Sequence, residues 1–275
     1  YSPPYFLQKL PLLGKFYISK SLEKTFLDKS TPKYVITCGK RMAGVSMYLK
    51  SKLKNKIKIL HIQNPGVTKF YFDLLLIPEH DHVRGINVIN TKGALTFFKY
   101  NELKNRFEYL KQDNTKLVLL MIGGENKRYS PHGIDYLNLS MKVIKSLKHF
   151  NAKLLVSISR RTPKRAIRIL DKSFSKYLKN YEILPLSGNN PYPDILKTID
   201  YAIVTSDSVN MISEISTTPI PLFIHKFPKE SGKILYFLND LQNLGIIKIF
   251  ENELFPFNKK RLNTNTTTLL KVNKF

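Results

Sequence analysis

The residues best suited to chemistry follow apolar segments in the second half of the chain, and their types suit them to holding an anion. Gly123 and Gly124 follow the strongest apolar segment, and paired glycines allow backbone N–H groups to approach a phosphate closely. Lys127 and Arg128 follow in the same loop and would supply positive charge. The same pattern is typical of a plain tight turn after a strand, so both interpretations stay open.

A second loop is rich in arginine. Ser159 leads into it, Thr162 is predicted to be the N-cap of the next helix, and Pro163 its first residue. Only nine of the 45 lysines and arginines are arginine, so a local cluster is informative. Four of them lie within nine residues: Arg160, Arg161, Arg165 and Arg168. Guanidinium groups beside a helix N-terminus form an anion site, which we favour over a solvated basic helix.

A third loop leads into a helix that carries a carboxylate. Its candidate ligand-binding residues are Ser206, Asp207, Ser208, Met211 and Glu214. Asp207 or Ser208 is predicted to cap the helix, and Glu214 falls about two turns in. That carboxylate could accept hydrogen bonds from a ribose diol. An exposed glutamate on a capped helix is an equally good interpretation.

A fourth group of polar residues lies in the first half of the chain, from Pro78 to Gly85. Asp81 or His80 is the predicted general base of this group. A turn that uses these side chains for its own hydrogen bonds is the simpler interpretation. Adjacent residues on a loop cannot all face one ion, so no metal site is predicted, and no resident cofactor either.

Motif searches exclude several enzyme classes. The nucleophile motif Gly-x-Ser-x-Gly, the phosphate loop Gly-x4-Gly-Lys-Ser/Thr and the dinucleotide motif Gly-x-Gly-x-x-Gly are all absent. Cys38 is the single cysteine, so no internal disulfide forms and a reducing compartment is expected. The apolar runs are shorter than the roughly 18–20 residues that span a bilayer. We therefore expect a cytoplasmic protein, with a membrane surface as its one further location.

The charge of +25 is the strongest feature of the composition. Most of it is lysine, as in proteins from AT-rich genomes, and no nucleic-acid-binding motif accompanies it, so specific nucleic-acid binding is not expected. The positive electrostatic field of the chain favours binding to phosphorylated substrates, to an anionic membrane or to a lipid-linked acceptor. The stretch from Phe6 to Phe26 is amphipathic and basic, which suits either a membrane surface or packing on its own domain.

The elements that must position these residues form an alternating α/β pattern. Apolar runs separated by helices indicate strands buried on both faces, hence mostly parallel sheets. The predicted strands are 34–38, 58–62, 74–77, 87–90, 116–122, 153–158, 182–185, 201–205 and 221–224. The predicted helices are 42–53, 133–150, 163–178 and 208–216.

Two domains are expected, residues 1–110 and 111–275, divided in the charged segment 104–114. The first is expected to lack its opening strand, because nothing before Tyr34 has a strand pattern. The second, with a C-terminal tail, is expected to hold the ligand.

The order of several short motifs resembles the mitochondrial-fission ELM family, which comprises predicted bacterial glycosyltransferases and a plant fission factor. The resemblance runs from about Tyr34 to Ile224. It is carried by Pro78–Asp81, Arg84–Val88, Gly93–Leu95, Ile122–Gly124, Ser159–Pro163, Asn190–Tyr192 and Thr205–Glu214.

The resemblance implies a GT-B-like fold, with two Rossmann-like domains facing a cleft, and metal-independent transfer from a nucleotide-sugar. The donor would lie over Gly123–Gly124, Ser159–Thr162 and Ser206–Glu214. Glu214 resembles the ribose-binding glutamate of such enzymes, and Arg160 the arginine beside the diphosphate. In the plant branch, similar sequences recruit a dynamin-type protein to the mitochondrial surface, so a non-enzymatic membrane-surface adaptor is the alternative function.

Overall fold

Two compact units form the chain. The structure is a computed structural model that describes residues 16, 18–28, 31–111, 114–125, 130–148, 151–188, 190–228 and 232–273. One unit ends at Lys92 and resumes at Thr266, and the other is Gly93–Asn265. The division falls earlier than the expected boundary at residue 110. The reason is that Phe98, Leu103 and other apolar residues up to position 110 pack into the core of the second unit.

The first unit is a four-stranded parallel sheet with helices. Its strands are β1 (Tyr34–Cys38), β2 (Lys58–Ile62), β3 (Leu74–Pro78) and β4 (Val88–Thr91), in the spatial order β1-β2-β3-β4. Its helices in this part of the chain are α1 (Lys20–Asp28) and α2 (Lys40–Leu53). All four strands agree with the sequence prediction to within one residue. Among the described residues, no strand precedes Tyr34.

The amphipathic stretch from Phe6 to Phe26 lies partly outside the described residues. Its described part includes α1, where the carboxylate of Glu23 accepts a short hydrogen bond from the hydroxyl of Tyr48 in α2. Tyr48 is itself buried in the core of this unit. Helix α1 is therefore tied to its own domain, as one of the two interpretations of this stretch expected.

The second unit is a six-stranded parallel sheet. Its strands are β5 (Lys116–Ile122), β6 (Ala152–Ile158), β7 (Tyr181–Ile183), β8 (Tyr201–Thr205), β9 (Leu222–His225) and β10 (Lys248–Ile249). The helices between them are α3 (Gly133–Leu147), α4 (Lys164–Tyr177), α5 (Val209–Ser216) and α6 (Lys233–Asn243). A last helix, α7 (Thr264–Val272), begins at the end of the second unit, and most of it belongs to the first. No described helix in either unit is long and apolar enough to cross a bilayer.

The strand order of the second unit identifies where a ligand would bind. The order is β10-β9-β8-β5-β6-β7, so the chain runs outward from β5 in one direction and then returns to build outward from β8 in the other. This is the doubly wound arrangement, and the reversal of direction lies between β5 and β8. Ligands of such sheets bind outside the carboxyl ends of the strands at that switch point.

The segment after Ile224, for which the sequence predicted no helix or strand, contributes to the second unit. Helix α6 buries Phe237, Leu238 and Leu241 in its core, and β10 extends the sheet by pairing with β9. Lys259 then places its ammonium group against the end of α5, donating to the carbonyls of Ile215, Thr218 and Ile220 at 2.7, 2.8 and 2.9 Å. One of these carbonyls lies in the last turn of α5 and the other two in the loop that follows it, so Lys259 joins the C-terminal segment to the end of this helix.

We predict that Lys259→Met destabilises the second unit, because three carbonyl oxygens lose their shared donor. The expected loss in the free energy of unfolding is about 1–3 kcal/mol, measured by urea denaturation. Lys260→Met is the matched control, since the Lys260 side chain is exposed and its backbone bond to Gly245 is retained. Equal stability of the two variants would contradict the role assigned to Lys259.

Candidate functional site

The glycine pair after β5 connects β5 to β8 across the switch point. The Gly123 N–H donates to Oγ1 of Thr205 at 2.8 Å, and the Gly124 N–H donates to Oδ2 of Asp207 at 2.6 Å. Both backbone donors that the sequence suggested for a phosphate are therefore occupied by side chains from the end of β8.

Close approach explains why these positions are glycine. A Cβ on Gly123 would lie 2.0 Å from Oδ2 of Asp207, and one on Gly124 would lie 2.4 Å from the backbone carbonyl of Arg161. Either distance is well inside van der Waals contact. The glycines therefore bring three loops together, after β5, β6 and β8.

The loop after β6 is fixed by Thr162. The sequence predicted Thr162 as the N-cap of α4, but Pro163 occupies that position and the helix begins at Lys164. The Thr162 hydroxyl instead donates to the carbonyl of Gly123 at 2.5 Å and accepts from the Ser159 N–H at 2.8 Å. The Ser159 hydroxyl reaches the same Gly123 carbonyl at 3.0 Å. Thr162 and Ser159 thus serve to hold the arginine loop against the glycine loop.

The four arginines of the cluster have different surroundings. Arg165 forms an ion pair with Glu125 and donates to the carbonyl of Pro131 at 3.1 Å, which ties α4 to the segment before α3. Arg160 and Arg161 are exposed in the loop, and within the described ranges neither guanidinium has a hydrogen-bond or ion-pair partner. These two cations at the switch point are available to an anion. Arg168 is exposed farther along α4.

The start of α5 is capped as predicted. Ser208 is the N-cap, and its hydroxyl accepts from the Met211 N–H at 3.5 Å. Helix geometry leaves the earlier N–H groups, of Val209 and Asn210, without helical acceptors. Ser206 is fully buried, and its N–H donates to the carbonyl of His225 at 3.0 Å. Ser206 therefore fixes the loop, whereas the first turn of α5 offers backbone donors.

Asp207 is a buried carboxylate at the centre of these loops. Burial raises its pKa, which the bonds it accepts and the positive charge of Arg161 partly offset. Its Oδ1 has no hydrogen-bond partner among the described atoms. The carboxylate stabilises the loop through Oδ2 and Gly124, which is a structural role that the sequence did not predict.

Glu214 is held by a tyrosine from another loop. Its carboxylate accepts a short hydrogen bond from the hydroxyl of Tyr192, whose ring packs edge-on against Phe98 at 6.2 Å. Burial raises the pKa of Glu214, and the bond from Tyr192 opposes that rise. Burial also raises the pKa of Tyr192 well above 10, so the phenol remains a donor. One carboxylate oxygen, Oε2, is therefore fixed, and the other forms no hydrogen bond with a described residue.

The segment after β4 fixes the opposite side of α5. The Ala94 N–H donates to Oγ of Ser213 at 2.9 Å, and a Cβ on Gly93 would lie 2.6 Å from that oxygen. Gly93 also has a φ of +74°, which favours glycine. This explains the Gly-Ala motif of the sequence: it brings a backbone donor to the residue beside Glu214.

The remaining candidates lie elsewhere. His80 is buried and Asp81 is half-buried, both in the short 3-10 helix Glu79–Asp81 that follows β3 in the first unit. Lys127 and Arg128 lie outside the described residues. Within the described ranges, no three His, Cys, Asp or Glu side chains are grouped so as to hold a metal ion.

Tyr192→Phe should raise the pKa of Glu214 further above its ordinary 4.5, because it removes the bond that opposes burial. A carboxyl group whose pKa is raised by folding stabilises the fold below its unfolded pKa, and that stabilisation is lost as the pH rises through the folded pKa. The stability deficit of the variant should therefore grow with pH over the interval between the two folded pKa values. NMR titration of the Glu214 carboxyl carbon measures the shift.

Tyr181→Phe is the matched control, because it removes a tyrosine bond to a different carboxylate, Asp171, at 2.8 Å. It should leave the Glu214 titration unchanged. An unchanged or lowered Glu214 pKa in Tyr192→Phe would show that the tyrosine does not stabilise the charged form.

Solved structures with a similar fold act on or contain nucleotide-sugars and nucleotides. A Staphylococcus aureus MnaA–UDP structure matches with a TM-score of 0.55 and 11% identity, over 90% of this chain and 68% of that one. The UDP-GlcNAc 2-epimerase of Methanocaldococcus jannaschii matches with a TM-score of 0.53 and 14% identity, over 92% and 79%. At these identities the likeness shows the fold alone, which is GT-B-like α/β with parallel sheets.

Sequence comparison gives the family. The uncharacterized protein RP120 of Rickettsia prowazekii is 29% identical over 90% of this chain and 81% of its own length. The mitochondrial fission protein ELM1 of Arabidopsis thaliana is 25% identical over 84% of this chain, which spans 60% of that protein. The family model described as Mitochondrial fission ELM1 matches residues 5–270. The chain therefore belongs to the Mitochondrial fission ELM1 family.

Proposed function

We propose that the second unit binds the nucleoside diphosphate part of a nucleotide-sugar at its switch point, for metal-independent glycosyl transfer. The observation that carries this proposal is the exposed pair Arg160 and Arg161, whose guanidinium groups bond no described residue. The charge of Arg161 acts on Asp207, the residue before the N-cap of α5. Glu214 lies on that same helix, about 9 Å along its axis from the N-cap by the ~1.5 Å rise per residue. A diphosphate and a ribose attached to it have comparable dimensions.

Each part of the ligand has a matching group. The N–H groups at the start of α5 and the two arginines suit the diphosphate, since a helix N-terminus and bidentate donors both favour negative charge. The free oxygen of Glu214 suits a ribose hydroxyl. The glycine pair, in this account, acts indirectly: it lets Asp207 and the loop of Arg161 approach, rather than contacting phosphate with its own N–H groups.

These groups also suit the chemistry. When the glycosyl bond breaks, negative charge grows on the leaving diphosphate, and fixed positive groups that already surround it stabilise that charge without a metal. The acceptor hydroxyl needs a base, for which Asp81 is our proposal and His80 the alternative. Asp81 is the more exposed of the two.

UDP is the first ligand to test, because the MnaA structure of similar fold contains it; ADP, GDP and dTDP complete the panel. Arg160→Gln and Arg161→Gln should each weaken nucleoside diphosphate binding by about tenfold or more, the equivalent of one charged hydrogen bond. Calorimetric titration measures the affinity. Arg168→Gln, which removes an exposed arginine farther along α4, is the control and should bind normally. Equal losses in all three variants would indicate general charge attraction instead of a site.

Release of UDP from a UDP-sugar distinguishes an enzyme from a protein that only binds the nucleotide. With a panel of UDP-sugars and water as acceptor, the chain should release UDP, and Asp81→Asn should lower the rate by about a hundredfold or more. The affinity for UDP should stay the same in this variant. Tight UDP binding without release from any donor would instead favour the adaptor function.

A further inference from the structure

Two large apolar side chains lie at one end of the four-stranded sheet, the end at which its strands begin. Phe70, in the short 3-10 helix Lys69–Tyr71 before β3, is 87% exposed, and Ile86, just before β4, is fully exposed. Both line one cleft of about 430 Å³, so they are neighbours. Single exposed apolar residues are ordinary, but two that are neighbours form an exposed apolar patch.

The two tips are fixed by hydrogen bonds. The side-chain amide of Asn87 donates to the carbonyl of Lys69 at 3.1 Å and to that of Phe72 at 2.8 Å. The ammonium group of Lys69 in turn donates to the carbonyl of Arg84. The loops before β3 and β4 are thus joined to each other. Phe70 and Ile86 are therefore exposed on loops that hydrogen bonds hold in place.

The segments next to this apolar patch are rich in basic residues. Asp73, at the end of the Phe70 loop, accepts from the Ile59 N–H at 2.7 Å, which places the start of β2 beside it. It also pairs with Lys50 of α2 at 2.7 Å, so its charge is compensated. Segments 54–58, 69–73 and 84–87 contain no other carboxylate. Their basic residues are Lys54, Lys56, Lys58, Lys69 and Arg84.

We propose that this end of the sheet docks on an anionic lipid bilayer. Phe70 and Ile86 insert at the headgroup level, and the basic residues of the three segments lie against lipid phosphates. Apolar side chains ringed by Lys and Arg suit this interface, because it has an apolar interior beneath a negative surface. His80 and Asp81 follow β3 at the opposite end of the same sheet. The contact is independent of the nucleotide site, and it suits both an enzyme with a lipid-linked acceptor and an adaptor.

Sedimentation with vesicles tests the proposal on the full chain. We expect binding to phosphatidylcholine vesicles that contain phosphatidylserine, weakened by salt, and little binding to phosphatidylcholine alone. The double variant Phe70→Ser/Ile86→Ser should lower the partition coefficient on the anionic vesicles by about tenfold or more. The control is Ile134→Ser/Leu137→Ser, which removes two exposed apolar residues of α3 in the other unit and should bind normally.

The same samples give the results that would overturn the proposal. Absence of binding to anionic vesicles would do so, as would equal binding by Phe70→Ser/Ile86→Ser and the unchanged chain, or an equal loss in the α3 control. Thermal unfolding of Phe70→Ser/Ile86→Ser adds a further check, since exposed residues on a lipid-binding surface should be replaceable without a change in Tm. A large drop in Tm would mean that another part of the protein, rather than a membrane, covers the pair.

Discussion

The candidate site depends on the hydrogen bonds that connect the ends of β5 and β8. At a switch point, the two neighbouring strands lead into helices on opposite faces of the sheet, and the loops between them separate. Here the N–H groups of Gly123 and Gly124 donate to Thr205 and Asp207, so the two loops are joined directly after the strands end. The backbone of Arg161 also lies against Gly124, because glycine has no Cβ to keep it away. One close approach therefore sets the positions of three loops.

Helix α5 is fixed by separate contacts at its start, on its side and at its end. Ser208 caps its start, Lys259 donates to a carbonyl in its last turn, and the hydroxyl of Ser213 accepts a bond from the segment after β4. Tyr192 then fixes the carboxylate of Glu214. A ligand group held by packing and by supporting hydrogen bonds loses little freedom on binding, which is the physical basis of preorganisation. This arrangement costs desolvation of charged groups, since Asp207 is buried and Glu214 and Lys259 are half-buried.

The sequence predicted the strands of both sheets well, because runs apolar throughout, such as 74–77 and 116–122, have few alternatives in an α/β pattern. It predicted less of the C-terminal region, where β10 has only two residues and gains its stability from pairing with β9. The N-cap of α4 was wrong by one residue: Thr162 has the right chemistry for a cap but has better partners in the carbonyls of Ile122 and Gly123.

At the site itself, residue types and strand ends were enough to locate the loops, but not the partners within them. Tyr192 lies 22 residues before Glu214, and Asp207 lies 83 after Gly124, so no spacing rule connects either pair. The same limit applies to the glycine pair. Its sequence pattern is typical both of a phosphate-binding loop and of close backbone packing, and only the occupied N–H groups distinguish the two.

The most direct test of the central claim is a crystal structure of the full chain soaked with UDP and the other nucleoside diphosphates. We expect a diphosphate between Arg160, Arg161 and the first turn of α5, with a ribose hydroxyl at the oxygen of Glu214 that Tyr192 does not bond. A diphosphate bound to the N–H groups of Gly123 and Gly124, or a ligand located away from the switch point, would contradict it.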